Sequence, residues 1–395
     1  MIQKRVCILT LGVGSGHVRA SETVQRALYD GNDPIEVKVV DVLDSAHRWF
    51  HWLYVDPYWW MLRHAPWLWR RLFEWRQRKL HRATAPNWIF RRGCRETLRQ
   101  IKNFAPQLLI VTEIGAAEIA AMGRREGWFN VPILAVQTDF HTEPPWVQAE
   151  IDVYCVGSEE ARAQLFAWGV LPNRVVLCGI PVDTAFALSF DKNDLRRALG
   201  LDARRPVVLV MGGGMGPVPM DKVVSSLELC NEPMQVLAVA GHDRDLRHRL
   251  ELLKGRLALD LRLFGWTENV PELMAVSDIL ITKPGGLTTA EALAAGLPMI
   301  LTHPIPGPEE RHIRYLEQCG VALHAKTLND IPRLASRLLS SPDALNEIRR
   351  RALERSRPDS AHAIAQVALA LLEKATYIDL LATPPPHTGE SAYLM

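Results

Sequence analysis

The stretch LGVGSGH places Gly12, Gly14 and Gly16 directly before His17. It follows the apolar run Val6 to Leu11 and opens a helical pattern. Glycines after a strand let a ligand come close to the backbone, and the helix that follows points free N–H groups at it. A dinucleotide fingerprint would ask for Gly-x-Gly-x-x-Gly and an acid closing the next strand. Gly12 and Gly14 fit, and Asp41 in VKVVDVL stands near where such an acid belongs, but the sixth position is His17. A neutral imidazole at the mouth of a cleft can accept a proton from an alcohol. The plainer alternative is a histidine that caps the helix or fills the loop.

A second constellation is SDILITKPGGLTTAEALAAGLPMI. The strand Ile279 to Thr282 runs into Lys283, Pro284, Gly285 and Gly286. Thr288 or Thr289 is expected to cap the helix that follows, with Glu291 in its first turn and Gly296 ending it. Backbone amides and threonine hydroxyls so arranged suit a diphosphate, and Glu291 suits ribose hydroxyls. The loop THPIPGPEER then carries Glu309 and Glu310, which could reach sugar hydroxyls. In VMGGGMGPV, the glycines Gly212, Gly213 and Gly214 turn tightly, more than an ordinary turn needs. Read blandly, these are βα turns with good caps and solvated loop acids.

The elements around these residues alternate. RVCILTLG, EVKVVDVL, QLLIVTEI, PILAVQTD, DVYCVGS and RVVLCGIP are apolar runs separated by helix-length segments, the pattern of buried parallel strands. After a polar helical break from Ser189 to Leu201 a second series begins with PVVLVMGGG, MQVLAVAG, LRLFGW, DILITKPGG and PMILTHPIPG. This predicts an α/β chain of two similar domains, 1–188 and 189–360, with a last helix over 361–379 returning to the first domain and a disordered tail over 380–395. One segment, 46–102, has no strand signal. It holds eight of the twelve tryptophans and thirteen Lys or Arg against three acids, and Pro57, Pro66 and Pro86 divide it into short helices. In WLWRRLFEWRQRKLHR, Trp69, Leu72, Phe73 and Leu80 share one helical face, with Arg70, Arg71, Arg78 and Lys79 largely elsewhere.

The bulk numbers bound the class. With 395 residues, 48% hydrophobic, 23% charged and a net charge of +2, the chain reads as soluble, two-domain and without an overall bias towards nucleic acid. Its six cysteines lack metal-ligand spacing, which points to reduced thiols in a cytoplasmic compartment and against structural zinc. No signal-peptide pattern opens the sequence, and no apolar run reaches the ~18 residues of a membrane span. If the protein meets a membrane, it is expected to lie on it.

Taken together, GSGH, TDFHTEPPWV, LCGIPVDTAF, MGGGMGPV and ITKPGGLTTAEALAAGLPMIL followed by PIPGPEE resemble the diacylglycerol glycosyltransferases, over roughly residues 5 to 375. The resemblance implies a GT-B fold, two Rossmann-like domains facing across a cleft, with no metal or cofactor beyond the donor substrate. It implies an inverting transfer of a hexose from a UDP-hexose to diacylglycerol or a glycolipid acceptor at an anionic membrane surface, on the inner face of the cell membrane. Carried over by position, His17 is the general base; Asp139 or Glu113, at the ends of neighbouring strands, could orient it or serve as the base instead. Gly213 and Gly214 approach the donor phosphates, Phe264 and Gly265 the uracil, Gly285, Gly286, Thr288 and Thr289 the diphosphate, Glu291 the ribose, and Glu309 and Glu310 the hexose. Gly14 and Gly16 keep the acceptor loop thin. Trp59, Trp60, Trp67, Trp69, Arg70, Arg71 and Trp146 belong to the acceptor and membrane side, since tryptophan suits the bilayer interface and arginine suits anionic headgroups. The sequence departs from the family pattern in three places. GGG runs directly into MGP, Pro308 stands where a glutamine is common, and His312 stands where an asparagine is usual. A nucleotide-sugar epimerase of the same fold, or a membrane-bound nucleotide-sugar sensor, are the competing readings.

Overall fold

The computed structural model describes residues 4–31, 34–78, 83–188, 190–212 and 218–373. Gly213, Gly214, Lys79, Leu80 and the tail 380–395 therefore lie outside the described residues. The first sheet runs in the order β2-β1-β3-β4-β5-β6, from β1 (Lys4–Thr10), β2 (Ile35–Asp41), β3 (Leu108–Val111), β4 (Ile133–Val136), β5 (Val153–Val156) and β6 (Val175–Leu177). The second runs β12-β11-β10-β7-β8-β9, from β7 (Val207–Met211), β8 (Gln235–Val239), β9 (Asp260–Phe264), β10 (Ile279–Thr282), β11 (Met299–Leu301) and β12 (Ala322–His324). Every strand pairing is parallel. Residues of β3, β4 and β5 are buried on both faces, as helix-covered parallel strands must be, whereas edge strand β2 buries Ile35 and Val37 and exposes Glu36 and Lys38. Strand β12, only three residues long, carries too little apolar periodicity to be read from the sequence.

The two Rossmann-like domains face each other across a cleft. The chain leaves the first at Gly179, whose φ is +98°, and returns through the helix Ser360–Glu373. The two passages are stitched where the Val182 amide donates to Ser360 Oγ at 3.0 Å. Ala361, Ile364, Ala365 and Ala368 of that helix pack with Val6, Ile8, Val24 and Leu108 in the core of the first sheet.

The segment 46–102 is helical. A short π-turn, His51–Val55, leads into the helix Asp56–His64, followed by Pro66–Gln77 and Asn87–Gly93, with the prolines at helix starts, where the missing N–H is not needed. Phe50, Ile89 and Phe90 root it in the first domain's core. On the Pro66–Gln77 helix Trp69, Phe73 and Arg76 are buried, while Leu72, expected on the same face, is exposed.

Truncating Ile364, which is fully buried, to alanine should cost about 2–5 kcal/mol in urea unfolding. A loss well below 1 kcal/mol would show that the last helix does not belong to the first domain's core.

Candidate active site

Both glycine-rich turns deliver a helix whose N-terminus has no side-chain cap. The helix Ser15–Tyr29 starts after Gly14, and the helix Gly286–Ala294 starts after Gly285. The first amides of each helix lack intrahelical partners and carry the positive end of its dipole. The two ends converge on one cavity of about 530 Å³ between the domains. Its wall includes Gly14, Gly16, His17, Glu113 and Asp139 from the first domain, Trp59, Trp69 and Trp146, and Gly285, Gly286, Thr288, Glu291 and Glu309 from the second.

His17 is held at Nδ1. The Thr112 carbonyl lies 3.3 Å away and Thr138 Oγ 3.0 Å away. A carbonyl can only accept, so Nδ1 carries the hydrogen, and in the neutral form of the ring Nε2 keeps its lone pair for another proton. The two carboxylates paired with His17 in the sequence reading are already engaged. Glu113 caps the helix Ile114–Arg125, accepting from the Ala116 amide at 3.0 Å. Burial raises its pKa, opposed by His17 and by the Ala116 and Gly115 amides. Asp139 Oδ1 stands 3.1 Å from Nε2 of His312, an ion-pair contact that crosses the cleft. His312 Nδ1 is 2.8 Å from the Pro284 carbonyl, to which it donates. Burial alone would lower the His312 pKa, but Asp139 and the carbonyl outweigh it and raise it. Burial would likewise raise Asp139, but His312 holds it well below the usual carboxylate range.

On the second domain, burial pushes the Glu291 carboxyl up to about 8, moderated by the Arg19 guanidinium. Arg19, reaching from the first domain, also lies 5.5 Å over the Trp266 ring. Trp266 in turn stacks on His242 at 4.3 Å. Trp266 and Arg19 both line the cavity. Neither was singled out in the sequence, because a lone tryptophan after a strand and an arginine on a helix are common surface residues; only the fold sets them face to face. Lys283 Nζ meets Glu309 Oε1 at 2.5 Å, and the Ile305 amide donates to Glu309 Oε2 at 2.8 Å.

Several expected residues stand elsewhere. Neither Thr288 nor Thr289 caps its helix; Gly285 occupies that position. Thr289 is buried and spends its hydroxyl on the Gly285 carbonyl at 2.8 Å, while Thr288 faces the cavity. Gly296 does end the helix, with φ of +60°. Phe264 packs against the second domain's core and Gly265 lies beside Arg247, both away from the cavity wall. Glu310 pairs with Arg70 of the tryptophan-rich segment instead of lining the cavity. Trp69 and Trp146 are buried, so neither can lie in a bilayer, while Trp60, Trp67 and Arg71 are exposed. Asp41 Oδ1 accepts from the Gly12 amide at 3.1 Å and from Leu43 at 2.9 Å, which makes it a brace of the first turn, and it does not line the cavity.

The cross-cleft pair sets a pH dependence. A raised His312 contributes fully below its ordinary value of 6.5 and loses its contribution as pH rises through the raised value; a depressed Asp139 contributes above 3.8 and loses as pH falls through the depressed one. The stability lost in His312→Asn should therefore be largest between about pH 4 and 6.5 and decline at alkaline pH, measured by urea unfolding. A loss independent of pH would exclude the ion pair as its cause.

Two consecutive family models match the chain: monogalactosyldiacylglycerol (MGDG) synthase over residues 17–182 and glycosyl transferases group 1 over residues 191–355. The processive diacylglycerol beta-glucosyltransferase of Bacillus licheniformis is 28% identical over 364 residues, covering 88% of this chain and 90% of its own. Among solved structures, MurG of Acinetobacter baumannii superposes with a TM-score of 0.62 at 15% identity, over 94% of this chain and 99% of its own. The UDP-GlcNAc 2-epimerase of Neisseria meningitidis superposes with a TM-score of 0.58 at 15% identity, over 94% and 100%, so the fold alone is shared by transferases and epimerases. With both domains matched in order and the relative aligned almost end to end, the chain is similar along its length to the diacylglycerol glycosyltransferases and has the GT-B fold.

Proposed function

We propose that this protein moves a hexose from a UDP-sugar to diacylglycerol or a glycolipid built on it, with inversion at the anomeric carbon, at the inner face of the cell membrane. The observation that carries this reading is the convergence in one cavity of His17, with Nε2 open, and the uncapped N-terminus of the helix Gly286–Ala294. The acceptor hydroxyl attacks the anomeric carbon. As that bond forms, the bond from the carbon to the diphosphate oxygen breaks on the opposite face, and the hydroxyl proton passes to His17 Nε2. The amides at the start of the Gly286 helix face the charge that collects on the departing diphosphate. Glu291, kept protonated at neutral pH by burial, can both donate to and accept from ribose hydroxyls. Asp139 is a poor base, since its pair with His312 stabilises the ionised form, and Glu113 is occupied as a helix cap. Orientation of the His17 ring falls to the Thr112 carbonyl and the Thr138 hydroxyl.

The acceptor side is apolar. Leu53, Trp59, Met61 and Leu72 of the insert line the same cavity, and Trp52, Trp60, Trp67, Trp75 and Trp88 stand exposed on the same insert with Arg71. This composition favours a lipid surface and gives an epimerase nothing to do with it. Among the described residues, no helix is long and apolar enough to cross a membrane.

Incubation of the protein with UDP-glucose or UDP-galactose and diacylglycerol in mixed micelles should yield a glycolipid on thin-layer chromatography. His17→Ala should lose about 10²- to 10⁴-fold of that turnover and retain UDP binding. Epimerised nucleotide sugar without lipid would overturn the transferase reading, and wild-type turnover in the variant would remove His17 from the role. Arg71→Gln should weaken sedimentation with phosphatidylglycerol vesicles by about fivefold, the effect of ~1 kcal/mol per charge near the surface. Equal binding of wild type and variant would place Arg71 off the lipid surface.

A further inference from the structure

The tryptophan-rich segment does more than present a surface. Its Pro66–Gln77 helix crosses the cleft and grips the second domain's segment 303–310, a loop that runs into the first turn of the helix Pro308–Gln318. Trp69 Nε1 donates to the Pro306 carbonyl at 3.1 Å, and the Arg70 guanidinium pairs with Glu310. The Phe73 ring lies against Gly307, where a Cβ would come within 2.6 Å of it; the φ of +92° at Gly307 asks for glycine a second time. Arg311 stands over the same ring at 5.1 Å. Leu62, Trp69 and Phe73 close around Ile305 as an apolar cluster separate from the two domain cores. The far end of the helix is fastened to the first domain, where Arg76 Nη2 meets Glu143 Oε2 at 2.7 Å and Gln77 Nε2 donates to the same oxygen at 3.0 Å.

The loop so held carries Glu309, which faces the cavity, and Glu310, which does not. Glu310 has both oxygens engaged in holding the loop: one meets Arg70, and the other accepts from the Gly307 amide at 3.1 Å. We propose that Trp69, Arg70 and Phe73 are positioning residues for the hexosyl group of the donor. They fix loop 303–310, and with it Glu309, from the opposite domain and without touching the sugar. The proposal rests on the second domain binding a nucleotide-diphosphate hexose. The nucleotide portion faces other elements, the Gly286 helix, Glu291 and Trp266. Loosening the loop should therefore weaken the hexose-bearing donor and spare UDP.

Calorimetric titration of the full-length protein with UDP and with UDP-glucose and UDP-galactose tests this. Arg70→Glu should weaken the tighter-binding UDP-hexose by about three- to tenfold, while UDP affinity stays within about twofold. Glu310→Arg should behave alike, and the double variant Arg70→Glu/Glu310→Arg should return to within about twofold of wild type. Trp69→Phe, which removes only the N–H donor, should shift UDP-hexose binding in the same direction by less. Intact UDP binding certifies the fold of each variant. Unchanged UDP-hexose affinity in Arg70→Glu would overturn the proposal. So would a double variant as weak as Glu310→Arg alone, which would make Glu310 a sugar contact itself. A wild type that binds neither ligand would fail the donor reading and this proposal with it, whereas intact UDP binding without a sugar effect fails this proposal alone.

Discussion

The organisation of the cleft depends on how one loop of the first domain is pressed into the second. After β4 the chain runs TDFHTE, and its Phe140 is buried in the second domain's apolar cluster with Ile180, Val182 and Leu287. Phe140 stacks on Tyr315 at 4.9 Å and meets His312 edge-on at 5.5 Å. Beside it the Thr138 carbonyl comes so close to Gly286 that a Cβ there would lie 2.0 Å from the oxygen. Glycine at 286 is thus demanded by the other domain as much as by any phosphate. The same six residues supply the Thr138 hydroxyl to His17, Asp139 to His312 and Glu143 to Arg76. His17, the second-domain helix and the tryptophan-rich helix are all referenced to one loop, so a shift of that loop moves them together.

The loop is rigid for a local reason. Thr142 Oγ donates to Gln137 at 2.8 Å, the Thr142 amide donates to Gln164 at 2.6 Å, and Ser158 Oγ donates to the Phe140 carbonyl at 2.5 Å. Buried polar groups that are satisfied in this way resist rearrangement, because breaking one strands a donor or acceptor away from water. Gln137 Nε2 is buried without a partner, and His141 departs further. Both of its ring nitrogens are buried without a partner, and burial together with the neighbouring His312 drives its pKa down to about 3. An uncharged His141 spares the Asp139–His312 pair a competing cation at the same spot.

Much of this was legible in the sequence where the signal is local. Eleven of the twelve strands among the described residues follow from apolar runs, and the two glycine-rich turns that open helices follow from strand-to-helix chemistry, although Glu291 stands in the second turn of its helix and not the first. What could not be read is which side of an element meets the other domain. Thr288 and Thr289 are adjacent and chemically alike, yet helix geometry turns one into the cavity and the other back onto the Gly285 carbonyl. Glu309 and Glu310 diverge for the same reason. Trp69 and Trp67 are two residues apart on one helix, so they point to different faces, one buried on Pro306 and one in solvent. Composition set the tryptophan-rich segment apart but could not distribute its tryptophans between solvent, cavity and domain contact.

The Arg76–Glu143 pair shows why that segment holds one place. Both side chains are about one-tenth exposed, and Arg76 also packs over Trp69 and Phe73 at 5.6 and 5.8 Å. Burying two charges costs desolvation that their attraction only roughly offsets, so the pair is a poor source of net stability. Separating them is another matter, because each charge would then be buried alone, at a cost of about 3–5 kcal/mol. The helix is therefore indifferent to being held but strongly opposed to being held anywhere else. An apolar contact of equal area would permit sliding; a buried pair with a second hydrogen bond from Gln77 does not. A helix that bridges two domains and keeps the segment of Glu309 in register needs that kind of fastening.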